Sequence, residues 1–216
     1  MVKNLKTERI RKSRFTLRRN NMKIILFLLI LILSQTSNIL AQEKVFKDLD
    51  GDSKPDTVYF DAEKSQIICL LSTQKFAAIQ SMEIDVLGDN SIVRATKDGF
   101  SFSVNWMRSG YSTQFRYEKK TKRIRLIGMT RYEFGPASND GSGESSVNLL
   151  THAYIGRWNY VSERRMELKR LPTITTKMIL PRTYLDTFDE KIAFAYSEKC
   201  SELFGKNKAL LIKRER

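Results

Sequence analysis

Phe100, Phe102, Val104 and Trp106 alternate with Ser101, Ser103 and Asn105, so an extended chain here has one apolar and one polar side. That period of two predicts a strand with a single buried face, and Lys97-Asp98-Gly99 before it is a turn signal. Gln114–Tyr117 and Ile124–Ile127 flank the charged run Glu118–Lys122 and read as a hairpin with a polar tip. Gln66–Leu71 reads as a buried strand. Further strands are predicted at Thr57–Phe60, Lys75–Gln80, Ile92–Ala95, Met129–Phe134, Val147–Leu150, Trp158–Val161 and Met166–Lys169. Short strands separated by frequent turns predict a mainly β domain, an antiparallel sheet, sandwich or barrel-like fold.

The periodicity changes near the C-terminus. Phe188, Ile192, Tyr196, Cys200 and Leu203 recur at three- and four-residue steps, which predicts one α-helix over about 187–204. Thr187 to Glu190 has the form of a capping box, and Gly205 is a suitable stop. Ala209–Ile212 then reads as a short edge strand.

A different pattern opens the chain. Met22-Lys23 precedes ten uninterrupted apolar residues, Ile24–Leu33, followed by the polar run Ser34–Asn38 and the small residue Ala41. This is the layout of a secretory signal peptide, and a membrane-spanning helix needs about 20 apolar residues. The reading is a basic extension and signal peptide over 1–41, cleavage near Ala41-Gln42, and one domain over 42–216, with Met1 and Met22 both open as the start. An uncleaved signal anchor is the alternative. The mature protein is expected in the periplasm or secreted, with no membrane span after cleavage.

Removing the leader alters the charge. The whole chain carries 38 Lys and Arg against 24 Asp and Glu, a net of +14. Residues 1–23 hold nine of the bases and one acid, leaving 29 and 23, a net of +6. That modest excess does not indicate a nucleic-acid binder, and the Lys206–Arg216 cluster reads as a solvated tail. The two cysteines, Cys69 in a predicted strand and Cys200 on the helix stripe, can pair in an oxidising compartment or remain separate core residues.

The candidate chemistry lies in Asp48-Leu49-Asp50-Gly51-Asp52-Ser53-Lys54-Pro55-Asp56. Four carboxylates at positions one, three, five and nine of a tight loop suit calcium, which takes six to eight oxygens. Asp48, Asp50, Asp52 and Asp56 would offer side chains, and Lys54 its backbone carbonyl. Position twelve is Tyr59 and the glycine is fourth, which excludes a helix-loop-helix hand. The competing reading is an acidic turn held by Asx-type hydrogen bonds.

The string DLDGDSKPD resembles the calcium loop of the integrin-type FG-GAP families of secreted proteins, D-x-D-G-D-x-x-x-D between strands. The resemblance covers about nine residues and implies side-chain ligation by the four aspartates. It occurs once, so a propeller is not expected. Weaker similarity links the chain to periplasmic inhibitors of lysozyme-like enzymes, several of which present a Ser-Gly loop near a tyrosine; Ser109-Gly110-Tyr111 is reminiscent of it. With Trp106, Met107 and Arg108 these residues form a candidate contact cluster for an envelope or secreted protein, since aromatics and Arg dominate interface hot spots.

Other candidates are thinner. The Gly-rich stretch Phe134–Ser146 reads as a surface loop in which Asp140 and Glu144 are candidates for a second cation, or amides near Gly141 and Gly143 for an anion. His152 has no nucleophile in its sequence context. The expectation is therefore an exported, calcium-binding, non-enzymatic binding or inhibitory protein. The competing class is a small envelope hydrolase with paired carboxylates drawn from Glu133, Asp140, Glu144, Asp186 and Glu190.

Overall fold

The computed structural model describes residues 44–85, 91–162 and 166–215; the expected leader and signal peptide lie outside the described residues. The fold is mainly β, with two antiparallel sheets and one C-terminal helix. The first sheet is the meander β1 (Val45–Lys47), β2 (Asp56–Asp61), β3 (Gln66–Leu70) and β4 (Ala78–Gln80).

The second sheet continues the same up-and-down logic. It contains β5 (Ser91–Thr96), β6 (Gly99–Asn105), β7 (Ser109–Glu118), β8 (Arg123–Glu133), β9 (Gly143–Asn148), β10 (Ala153–Ser162), β11 (Glu167–Arg170) and β12 (Ile174–Lys177). Strands β5 to β11 pair in chain order. Along its other edge, β10 pairs with β11 through Asn159–Ser162 and with β12 through Ala153–Gly156, so these two act as one interrupted edge strand.

Alternation sets the core. Phe100, Phe102 and Val104 of β6 are buried while Ser101, Ser103 and Asn105 are half-buried. The β7–β8 hairpin forms as predicted, with an irregularity: Gln114 pairs with Gly128 and Phe115 with Leu126, which leaves Ile127 as the extra residue. The bulge resets the alternation, and both Leu126 and Met129 are buried. The Phe60 and Phe102 rings lie 5.2 Å apart and join the two sheets, and Phe115 meets Phe188 edge-on at 5.2 Å. Each such ring contributes about 1.5–3 kcal/mol on burial.

The helix, α1 (Lys191–Glu215), differs from its prediction at both ends. Thr187 belongs instead to a 3₁₀ turn over Leu185–Thr187, where its hydroxyl donates to the Tyr184 carbonyl. Asp189 holds the helix start by accepting from the Lys191 amide at 3.1 Å. Gly205 does not stop the helix, and Ala209–Ile212 is helical, not an edge strand. A glycine costs a helix only about 1 kcal/mol, and tertiary contacts on either side of it repay that. Lys208 Nζ meets Asp140 at 2.7 Å, Phe204 approaches Trp158 at 6.5 Å, and Leu211 packs on the core. Among the described residues no helix is long and apolar enough to cross a membrane.

Two strand boundaries also shift. Lys75 and Phe76 take positive φ (55° and 58°) after the 3₁₀ turn Ser72–Gln74, so β4 is shorter than expected. Gly143–Ser146, read as loop, opens β9.

Candidate metal centre

The acidic loop connects β1 to β2 and curls through positive φ at Gly51 (87°) and Ser53 (68°). Glycine suits the first because it carries no Cβ penalty there. Carboxylate oxygens of Asp48, Asp50 and Asp56 all lie within 4.8 Å of one another and can together hold a metal ion. Asp56 is fully buried and Asp50 nearly so, at 7% exposure.

Each carboxylate is held in place. Asp56 accepts from the Leu49 amide at 2.7 Å and the Ser72 amide at 2.8 Å, tying both ends of the loop to the turn after β3. Asp48 accepts from the amides of Gly51 (2.7 Å) and Ser53 (2.9 Å). Asp50 accepts from the Thr73 hydroxyl at 2.5 Å and the Asp52 amide at 3.3 Å. Asp52 lies outside the three-carboxylate group. It accepts from the Ser72 hydroxyl and the Lys54 amide, both at 2.8 Å, and the Lys54 amide foremost, with Ser72, holds its carboxyl below the usual aspartate range.

These bonds satisfy the carboxylate oxygens but leave the charge. Among the described residues none of Asp48, Asp50 and Asp56 makes a salt bridge; the Lys119 ammonium lies near Gly51 at the loop surface. The resulting field reaches nearby groups. Burial foremost, then the charges of Asp56 and Asp50, push the Cys69 thiol far up, so it stays protonated. Burial and Asp50 also raise Tyr117, against a hydrogen bond with Thr73.

Ser72 and Thr73 were not singled out from sequence, although their polar pair directly follows a buried strand. Their contacts with the aspartates span 20 and 23 residues and arise only when β3 folds beside β2.

The second predicted cluster lies elsewhere. Ser109-Gly110-Tyr111 is no loop; it begins β7, and the turn is Trp106–Arg108. Tyr111 is buried with its ring 5.7 Å from Trp106, and Met107 is 92% exposed. Arg108 donates to the carbonyls of Phe134, Gly135 and Pro136. Trp106, Ser109, Gly110 and Tyr111 line one cavity of about 220 Å³ with residues of β8 and α1.

The remaining candidates are engaged. Asp140 binds Lys208 and accepts from the Val161 amide at 2.8 Å; these outweigh burial and lower its pKa. Glu144 pairs with Arg157 at 3.3 Å, Asp186 with Arg123 at 2.5 Å and Glu133 with Arg131 at 2.9 Å, while Glu190 accepts from the Asp85 amide at 3.0 Å. The Gly141 amide is spent on the Asn159 carbonyl. His152 sits in the β9–β10 turn at φ 60°. Cys69 and Cys200 are separate free thiols: Cys69 lies in β3, whereas Cys200 meets Ser145 of β9 at 3.4 Å because α1 packs near β8–β10. No protein family, curated protein or solved structure matches this chain.

Proposed function

We propose that the chain is an exported calcium-binding protein, non-enzymatic, in which calcium fixes the β1–β2 connection and a surface at the β6–β7 turn engages a binding partner. The observation that carries the metal reading is the pair of buried carboxylates, Asp50 and Asp56, beside Asp48 with no ion-paired base among the described residues. Buried carboxylates are costly unless paired or coordinated to a metal. A hard, oxygen-seeking cation answers that need, and the all-oxygen donor set with a flexible loop favours calcium over magnesium or zinc. The D-x-D-G-D-x-x-x-D spacing supports the same ion. In this reading Asp48, Asp50 and Asp56 hold the cation, the Lys54 carbonyl adds a further oxygen, water fills the remaining positions, and Asp52 positions the loop through Ser72.

The partner surface rests on Trp106, Ser109, Gly110 and Tyr111 lining one cavity, with Arg108 holding the adjoining chain. The hydrolase reading draws on Glu133 and Asp140, which line a neighbouring cleft of about 300 Å³. Lys208 keeps Asp140 ionised, the opposite of what a general acid at neutral pH requires.

Calorimetric titration with calcium tests the metal reading. One ion should bind, Asp50→Ala should abolish binding, and Asp52→Ala should weaken it without abolishing it. No heat with the wild-type protein would sink the proposal.

A further inference from the structure

We propose that the cavity between the β6–β7 turn and α1 is a binding site for an uncharged saccharide. This deepens the binding-protein reading and rests on it, but it is independent of the calcium.

The walls are of two kinds. Trp106 and the half-exposed Phe194 supply aromatic surface, and the ring of Tyr111 backs Trp106 at 5.7 Å. Arg131 and Glu133 supply a polar wall, paired at 2.9 Å, with Arg131 also donating to the Ser197 carbonyl at 3.3 Å. The pair is fixed from the far side too, since the Arg131 guanidinium lies 5.6 Å from the Trp158 ring centre. Ser109 and Ser197 complete the polar lining.

The hydrogen-bonding balance selects the ligand class. Among the described residues no protein group takes up the Trp106 indole N–H, the Ser109 and Ser197 hydroxyls or the second carboxylate oxygen of Glu133. A purely apolar occupant would strip water from these groups and return nothing, at a cost of about 1–3 kcal/mol for each one buried unpaired. A charged occupant meets a polar wall whose two charges already cancel. A hydroxyl both donates and accepts, so a ring bearing several hydroxyls can serve indole N–H, serine and carboxylate together. Its C–H face can meanwhile lie on the aromatic side chains, the mixed character expected of small-ligand pockets. The volume of about 220 Å³ accommodates one sugar ring. The neighbouring cleft shares Arg131 and Glu133, so a second ring has a place to continue.

The test is calorimetric titration of the protein with four neutral disaccharides, maltose, lactose, cellobiose and N,N′-diacetylchitobiose, in calcium and again in chelator. At least one should bind saturably. Trp106→Ala, Phe194→Ala and Glu133→Gln should each weaken it, the last about tenfold or more, as expected for a lost hydrogen bond to a charged group. Phe194 is exposed on the helix, so its variant keeps the test readable if Glu133→Gln lowers the melting temperature. Absence of binding by all four sugars, or binding unchanged in Trp106→Ala and Phe194→Ala, would overturn the proposal. Failure of the calcium reading would show separately, as loss of calcium heat with sugar binding intact.

Discussion

Asp56→Asn separates a calcium centre from a self-sufficient acidic turn, because only the first predicts a calcium-dependent rise in melting temperature that the variant loses. The side chain is fully buried and both its oxygens accept backbone amides. Asparagine keeps one acceptor and sets an NH2 group against an amide donor, which costs about 1–3 kcal/mol. The same change relieves repulsion from Asp48 and Asp50, whose oxygens lie within 4.8 Å. At an effective dielectric near 20, one such pair is worth about 3 kcal/mol. Asp56 faces two such pairs, so in chelator the relief exceeds the cost and the variant should melt no lower than wild type. In calcium the wild type gains about 2.7 kcal/mol at a hundredfold excess over its Kd. That gain corresponds to a rise of about 5–11 °C for a domain of this size. The variant should lose most of that rise. Thermal unfolding of both proteins with and without calcium reads all four values. Equal melting of the wild type in both buffers, or a full calcium-dependent rise in Asp56→Asn, would rule out the calcium centre.

Three further outcomes are expected. Gly205→Ala should stabilise the protein by about 1 kcal/mol, measured by urea unfolding, since a Cβ there meets nothing within 4 Å and the position lies inside α1. Glu118, held down to about 2 by Thr121 and then Arg125, with Tyr184 adding a bond, has a folded-state pKa below its unfolded value. Its stabilisation is therefore complete above about pH 4.5 and drains as pH falls towards 2. Glu118→Gln should cost about 1–2 kcal/mol at pH 7, allowing for partial screening, with the difference from wild type shrinking across that window. Thiol titration of the unfolded, unreduced protein should count two free cysteines, and reductant should leave the melting temperature unchanged, because Cys69 and Cys200 are not bridged.

What could be read from sequence follows the range of the interactions involved. The β6 alternation and the β7–β8 hairpin were legible because a strand's buried face is written in neighbouring residues. The helix end was not: Gly205 carries a local stop signal, while Lys208 and Phe204 override it through Asp140 and Trp158, more than 40 residues away, and Leu211 packs on the core. Ser109-Gly110-Tyr111 carries turn-type residues, yet the true turn is the three residues before them, where Met107 and Arg108 can face solvent. In the acidic loop the spacing identified the carboxylates, but it could not show that Ser72 draws Asp52 aside and leaves three aspartates together. The Arg131–Glu133 pair beneath the helix had no signature at all, since i and i+2 on a strand acquire meaning only when α1 closes over them.

A crystal structure of the protein grown with calcium tests the metal centre at its atoms. One ion is expected, bonded by Asp48, Asp50 and Asp56 at about 2.3–2.6 Å, with Asp52 still on the Ser72 hydroxyl. Ion-free density between those three carboxylates at saturating calcium would contradict it.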